Sequence, residues 1–333
     1  MKYSKYTAWG LGATFAAAFT FTAPAQAAVD IIEIDGSSTV YPITEAIAEE
    51  FQKETGIKVT VGVSGTGGGF KKFCRGDTVI SNASRPIKEK EIEKCKETGI
   101  SFIEIPVAFD ALTVVVNPSN DWAKELTTDE LKKMWEPAAQ GKITNWNQVR
   151  PGFPDTPLKL YGPGADSGTF DYFTEAVIKK EKAIRGDFTA SEDDNILVQG
   201  VAGDKGGIGY FGLAYYEENK DKLTGVKIKN AQGEFIAPSL ENAANGKYNP
   251  LSRPLFVYLN ATKAAFDPKV KKFVEFYIKH AGKMSTEVGY VPFSDKEYAA
   301  ILNHYKTLKT GTAFKKPAIG LSVHEILSLS AAN

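Results

Sequence analysis

The sequence predicts an α/β fold of two lobes, with two chain crossings between them. Strand and helix signals alternate through the early part of the chain, which is typical of βαβ units and a mainly parallel sheet. Residues 103–109 run directly into the valine-rich residues 111–116, and residues 255–259 form a second extended apolar stretch. The length of 333 residues fits about two domains, each able to bury its own core.

The early part of the chain predicts strands and helices in regular succession. Ile43, Ile47 and Phe51 follow the i, i+4 spacing of an amphipathic helix, and Gly56 suits the C-terminal cap of that helix. The other predicted elements are strands at 29–34, 57–63, 78–82 and 102–107, a short helix from Phe70 and a charged surface helix at 88–98.

The two extended apolar stretches predict how the lobes divide the chain. The segment between them has strand and helix signals of its own, at 158–161, 167–178, 191–194 and 208–211. We therefore expect a discontinuous first lobe (28–109 plus 257–333), an inserted second lobe (113–253), and hinges near 107–113 and 253–258.

The first 27 residues predict a secretory signal peptide. Lys2 and Lys5 precede a short apolar run, and Ala25-Gln26-Ala27 fits a cleavage site. A membrane anchor is the alternative, but Gly and Thr interrupt the run, and no later run reaches the roughly 20 residues that span a bilayer. We expect an exported, soluble, periplasmic protein.

The composition argues against several classes of ligand and of metal site. The 40 Lys and Arg residues balance the 40 Asp and Glu residues, which argues against nucleic acid and against polybasic membrane binding. Cys74 and Cys95 predict a structural disulfide in an oxidising compartment, with two buried free thiols as the alternative. The three histidines have no metal-ligand spacing, so neither a metal nor a cofactor is expected.

Three loops share the pattern of a strand, a turn rich in hydroxyl groups and glycine, and a helix. A helix start offers unpaired N–H groups and the positive end of the helix dipole, and glycine lets an anion approach the backbone. The alternative for each loop is an ordinary helix cap or turn. We call residues 36–39 the first loop, 64–69 the second loop and 164–169 the third loop, with Ser38, Thr39, Ser64, Thr66, Ser167, Gly168 and Thr169 as the candidate ligand residues.

Four charged residues complete the candidate cleft. Arg85 follows the third strand, where its guanidinium could bind an oxyanion. Arg253 could instead stabilise the joint between the lobes. Asp110 and Asp166 are the acidic residues best placed to accept a proton from a hydrogen phosphate. Their alternatives are a salt bridge at the hinge for Asp110 and helix-start stabilisation for Asp166.

These motifs together resemble the PstS-like periplasmic phosphate-binding proteins that feed ATP-driven phosphate importers. The resemblance covers almost the whole mature chain and rests on the sequences DGSSTVYP, SGTGGG, ASRPI, FD, DSGT and IGY, in that order. It implies a type II two-lobed fold that closes by a hinge around one phosphate, without catalysis. It also implies a membrane ABC permease as partner of what we expect to be a monomer.

The chain departs from the best known members of that family at two positions. Those members have an aspartate where this chain has Arg85, and an arginine shortly before Ser-Gly-Thr where this chain has Pro163 and Gly164. We expect that the two charges have changed places, so that Arg85 supplies the guanidinium and Asp110 or Asp166 the proton acceptor. Two alternatives remain at this point: a binding protein for sulfate or another oxyanion, and a secreted phosphoesterase.

Overall fold

The computed structural model describes residue 1 and residues 31–165, 167–191 and 193–314. The predicted signal peptide, apart from Met1, lies outside the described residues, and so does the candidate Asp166. Within the described part of the chain, no helix is both long enough and apolar enough to cross a bilayer.

The described residues contain twelve strands and eleven α-helices, which confirms the predicted α/β class. The strands are β1 Ile32–Gly36, β2 Val59–Val63, β3 Ile80–Ala83, β4 Phe102–Val116, β5 Glu125–Leu126, β6 Lys159–Gly162, β7 Thr189–Ala190, β8 Gly207–Gly212, β9 Thr224–Gly225, β10 Lys227–Lys229, β11 Phe235–Ile236 and β12 Ser252–Asn260. The helices are α1 Tyr41–Thr55, α2 Gly65–Arg75, α3 Glu89–Glu97, α4 Thr128–Trp135, α5 Gly168–Phe173, α6 Asp194–Gly203, α7 Leu213–Glu218, α8 Leu240–Ala244, α9 Ala261–Phe266, α10 Pro268–Glu287 and α11 Asp295–Lys306. A π-helical turn, Thr174–Ile178, extends α5.

One large sheet runs through the described residues in the order β2-β1-β3-β12-β4-β8-β6-β7, with β9 also pairing with β4. The strands β2, β1 and β3 are parallel, and β12 lies antiparallel between β3 and β4. The long strand β4 pairs with β12 along its first part and with β8 from Leu112 to Val116. This single strand therefore continues from one half of the sheet into the other.

The apolar side chains of β4 belong to different cores on either side of one peptide bond. Ala111 is the last β4 residue of the core that contains the early helices and the C-terminal helices, whereas Leu112 belongs to the core formed by residues 112–251. This change of core falls within residues 107–113, where the sequence predicts the first hinge. The exact lobe boundaries and the hinge motion stay predictions.

Helix α2 begins five residues earlier than the predicted start at Phe70, so that it includes the glycines of the second loop. Glycine is a poor helix former, and the sequence pattern therefore argued for a loop here. The structure gives the reason: a Cβ atom on Gly69 would lie 2.5 Å from the Cα atom of Gly36 and 2.8 Å from the hydroxyl of Ser81. Close packing of the helix on the sheet thus outweighs the low intrinsic propensity.

The predicted disulfide is confirmed, because Cys74 on α2 and Cys95 on α3 are bonded to each other. Both side chains are buried in the core that contains the early helices and the C-terminal helices. The bond connects α2, which begins in the second loop, to the charged helix α3, which follows Arg85.

Removing this disulfide with a Cys74→Ser, Cys95→Ser double variant should destabilise the protein. The bond closes a loop of 21 residues, and the loss of that restraint on the unfolded chain costs about 3 kcal/mol. Urea denaturation measures the free energy of unfolding, and a reductant should lower the wild-type value but leave the variant unchanged. Equal midpoints for the oxidised wild type and the variant would contradict this expectation.

Candidate functional site

Each of the three loops lies at the change from a strand to a helix, as the sequence predicts. The first loop connects β1 to α1, residues 65–69 of the second loop form the start of α2, and residues 168 and 169 of the third loop form the start of α5. The strands β1 and β2 are parallel neighbours, and β6 is parallel to β8 in the other half of the sheet. Carboxyl ends of strands in open α/β sheets are common places for ligands.

The first two loops contact each other through their backbones. The N–H of Ser64 donates to the carbonyl oxygen of Gly36 at 3.1 Å. The hydroxyl of Ser64 donates to the buried carboxylate of Asp35, whose other oxygen is 2.6 Å from the Nζ atom of Lys72. The side chain of Ser64 therefore helps to fix the base of the loop.

The second loop also contacts the segment that carries Arg85. The hydroxyl oxygen of Thr66 lies 3.1 Å from the hydroxyl of Ser84 and accepts a hydrogen bond from the Ser84 N–H. Arg85 forms a bidentate ion pair with Glu91, in which its two terminal nitrogens donate to the two carboxylate oxygens at 2.8 and 2.9 Å. One of its nitrogens is 3.9 Å from a Cβ atom built on Gly67, so Arg85 lies beside the second loop, as expected.

The third loop, which follows a strand in the other half of the sheet, contacts the first loop. Ser167 caps α5, its hydroxyl oxygen accepting a hydrogen bond from the N–H of Thr169 at 3.2 Å. A Cβ atom on Gly168 would be only 3.1 Å from the Cα and Oγ1 atoms of Thr39. Glycine at this position thus allows the two backbones to approach each other closely.

Arg253 contacts several parts of this region at once. Its guanidinium donates to Thr39 Oγ1 at 3.2 Å, to Asp110 Oδ2 at 3.3 Å and to Glu175 Oε2 at 3.0 Å. It also lies over the ring of Tyr172, 3.8 Å from the ring centre. The sequence suggested a role for Arg253 only at the joint between the lobes, because it does not reveal which residue faces Arg253 across the sheet.

Asp110 is buried and forms the ion pair with Arg253. Burial raises the pKa of its carboxyl above the ordinary value, and the guanidinium of Arg253 opposes this rise. Asp110 was predicted to contact the ligand or to form a salt bridge at the hinge, and the structure contains the salt bridge. Contact of Asp110 with a ligand stays a prediction.

Asp171 is an acidic residue of this region that was not among the predicted site residues. Burial raises the pKa of its carboxyl, while Lys182, at 3.7 Å, and a hydrogen bond with Ser38 oppose the rise. Ser38 belongs to the first loop and Asp171 to the first turn of the helix after the third loop. An acidic residue in the first turn after Ser-Gly-Thr was the signal that could have identified it.

A cavity of about 440 Å³ opens beside these loops. Its lining includes Ser84 and Arg85 after β3, residues of α5 and of the π-helical turn, and Arg253 on β12. The complete lining consists of residues 84–89, 92, 172, 175, 176, 179, 250, 252–254 and 314.

Comparisons with known proteins agree with this arrangement. The model of the PBP superfamily domain matches residues 22–280. Protein SphX of Synechococcus elongatus is 54% identical over 305 residues, which cover 91% of this chain and 90% of that protein. The phosphate-binding protein PstS of Staphylococcus saprophyticus is 42% identical over 267 residues, covering 79% and 81%. A crystal structure of a possible phosphate binding protein from Planctomyces limnophilus is 43% identical, with a TM-score of 0.79, and covers 85% of this chain and 99% of that one.

Replacing Arg253 with methionine should destabilise the protein by about 3–5 kcal/mol, since it leaves the Asp110 carboxylate buried without its partner. The double variant Asp110→Asn, Arg253→Met should lose about 1–3 kcal/mol less than the two single losses added together. Chemical denaturation gives these values.

The exposed pair of Arg75 and Asp77 provides the control, because Arg75→Met should change the free energy of unfolding by less than about 1 kcal/mol. Additive losses at Arg253 and Asp110 would show that the two side chains do not support each other.

Proposed function

The chain belongs to the PBP superfamily and, within it, to the PstS-like phosphate-binding proteins, and on this premise we propose that it captures inorganic phosphate in the cleft between its lobes. Its fold is the type II binding-protein fold of these relatives. The captured anion would pass to a membrane ABC permease, as the resemblance to the binding proteins of phosphate importers implies. The inferred location of this capture is the periplasm.

The observation that carries the proposal is the contact between the first loop, at Thr39, and the third loop, at Gly168, beside Arg253. Both loops precede a helix, so each presents N–H groups that have no partner inside its helix. Such groups favour an anion, and the helix dipoles add to the attraction. Two helix starts from opposite halves of the sheet could therefore surround one tetrahedral ion.

We assign the donor roles as follows from the positions of the side chains. Ser38, Thr39, Thr66, Ser167, Gly168 and Thr169 would donate through hydroxyl or backbone N–H groups. Ser64 would shape the second loop, because its hydroxyl is engaged by Asp35. Donors fixed in advance in this way cost less to order when the ligand binds.

Arg85 would supply the guanidinium beside the second loop. Its ion pair with Glu91 holds the guanidinium in place and balances its charge. Asp110 or Asp166 would accept the proton of a hydrogen phosphate, which a fully ionised sulfate lacks. Two departures of opposite sign from the family pattern support this exchange of roles, since together they leave the net charge of the cleft unchanged.

The lobes would be residues 28–109 with 257–333 and residues 113–253, and they would close by bending at the two crossings. A monomer satisfies this mechanism, because both halves of the site come from one chain. The relatives are named as binding proteins, which supports a role without catalysis. The phosphoesterase alternative and the sulfate alternative have no comparable support.

Calorimetric titration with phosphate and with sulfate from pH 5 to pH 9 should show at least a hundredfold preference for phosphate. The physical reason is that a carboxylate accepts a hydrogen bond from hydrogen phosphate but repels sulfate. Sulfate binding within tenfold of phosphate would instead establish the broader oxyanion receptor.

Arg85→Ala should weaken phosphate binding at least tenfold, because a charge-assisted pair of hydrogen bonds is lost. Arg75→Ala is the matched control, since Arg75 lies in an exposed pair with Asp77 and outside the cavity lining. Phosphate affinity within a factor of two of wild type in Arg85→Ala would show that the charges have not changed places.

A further inference from the structure

Tyr258 on β12 is fully buried, and its hydroxyl takes part in two hydrogen bonds. The hydroxyl donates to Glu104 Oε2 at 2.6 Å and accepts from the N–H of Ile87 at 2.9 Å. Ile87 lies two residues after Arg85, in the segment between β3 and α3. The hydroxyl therefore contacts the segment that carries the proposed guanidinium.

The register of the sheet determines where this hydroxyl lies. Strand β12 is between β3 and β4, and Tyr258 is paired with Glu104 on β4. The buried carboxylate of Glu104 also accepts hydrogen bonds from the hydroxyl of Thr312 at 2.6 Å and from the N–H of Ala313 at 3.0 Å. Because the proton of the Tyr258 hydroxyl is directed to this fixed carboxylate, the oxygen lone pairs remain for the N–H of Ile87.

Hydrogen bonds hold the backbone on both sides of Arg85. Before it, the N–H of Ser84 donates to Thr66 Oγ1 of the second loop at 3.2 Å. After it, the N–H of Ile87 donates to Tyr258. Two such bonds, three residues apart, restrict the backbone conformations that Arg85 can adopt.

The ring of Tyr258 also supports the guanidinium through a second aromatic ring. Phe70 packs edge-on against Tyr258, with the ring centres 4.9 Å apart. The guanidinium carbon of Arg85 lies over the same Phe70 ring, 5.6 Å from its centre, within the range of a cation–π contact. Tyr258 thus restrains both the backbone next to Arg85 and the ring beside its guanidinium.

We propose that Tyr258 is a positioning residue for Arg85, which it holds at the second loop in the orientation that binds phosphate. This inference rests on the proposed function, because it requires Arg85 to bind the anion. Tyr258 would not touch the anion, and its effect on affinity would pass through Arg85. A donor that is fixed in advance costs less to order when the ligand binds.

A double-variant cycle, measured by calorimetric titration with inorganic phosphate, tests the proposal. Tyr258→Phe keeps the ring but removes the acceptor for Ile87, and it should weaken phosphate binding at least fivefold. In an Arg85→Ala background the same change should alter the affinity less than twofold, because the side chain that Tyr258 positions is gone. An equal loss in both backgrounds would indicate general structural damage and overturns the inference.

Tyr305→Phe is the matched control. The hydroxyl of Tyr305 is buried in the same core and donates to the carbonyl oxygen of Ala264 at 2.9 Å, so its removal should leave the phosphate affinity within a factor of two of wild type. Wild-type affinity in a folded Tyr258→Phe variant overturns the inference and leaves the proposed function intact. A wild-type protein that does not bind phosphate overturns both.

Phe70→Leu takes the place of Tyr258→Phe in the same cycle if the tyrosine variant does not fold. This change removes the ring between Tyr258 and the guanidinium and keeps an apolar side chain in the core. We expect the same pattern, a loss of phosphate affinity with Arg85 present and less than a twofold change without it. Equal effects in both backgrounds again contradict the proposal.

Discussion

The ion pair of Arg253 and Asp110 is the interaction on which the cleft depends most. The two residues face each other across the ladder between β12 and β4, so the sheet register itself brings them together. The same guanidinium contacts Thr39, Glu175 and the ring of Tyr172. One partly buried guanidinium thus connects strands β4 and β12 with the first loop and with the helix that begins in the third loop.

A second constraint is the pairing of charged residues beside the first two loops with residues of opposite charge. Arg85 is matched by Glu91, and Lys72 by the buried Asp35. Uncompensated charges at such depth would be costly, because water no longer solvates them. The local field offered to an anion therefore comes largely from oriented N–H groups and hydroxyls, which are held in position by these pairs.

The sequence was sufficient for the features that depend on local pattern. The order of the three loops, the cap at Gly56 and the pairing of Cys74 with Cys95 follow from spacing and residue type. The start of α2 could not be predicted, because only the packing of Gly69 on Gly36 explains glycines inside a helix. The central position of Arg253 was equally hidden, since it depends on the register of two strands more than 140 residues apart.

The crossings themselves are hydrogen-bonded strands and not loose linkers. Strands β4 and β12 pair from Phe102 to Ala111, with an irregularity between Leu255 and Phe256. Sliding of one strand along the other would turn buried side chains outward, whereas twisting keeps their register. A closing motion of the proposed lobes would therefore have to twist this two-stranded ribbon, because its paired register opposes translation of one strand along the other.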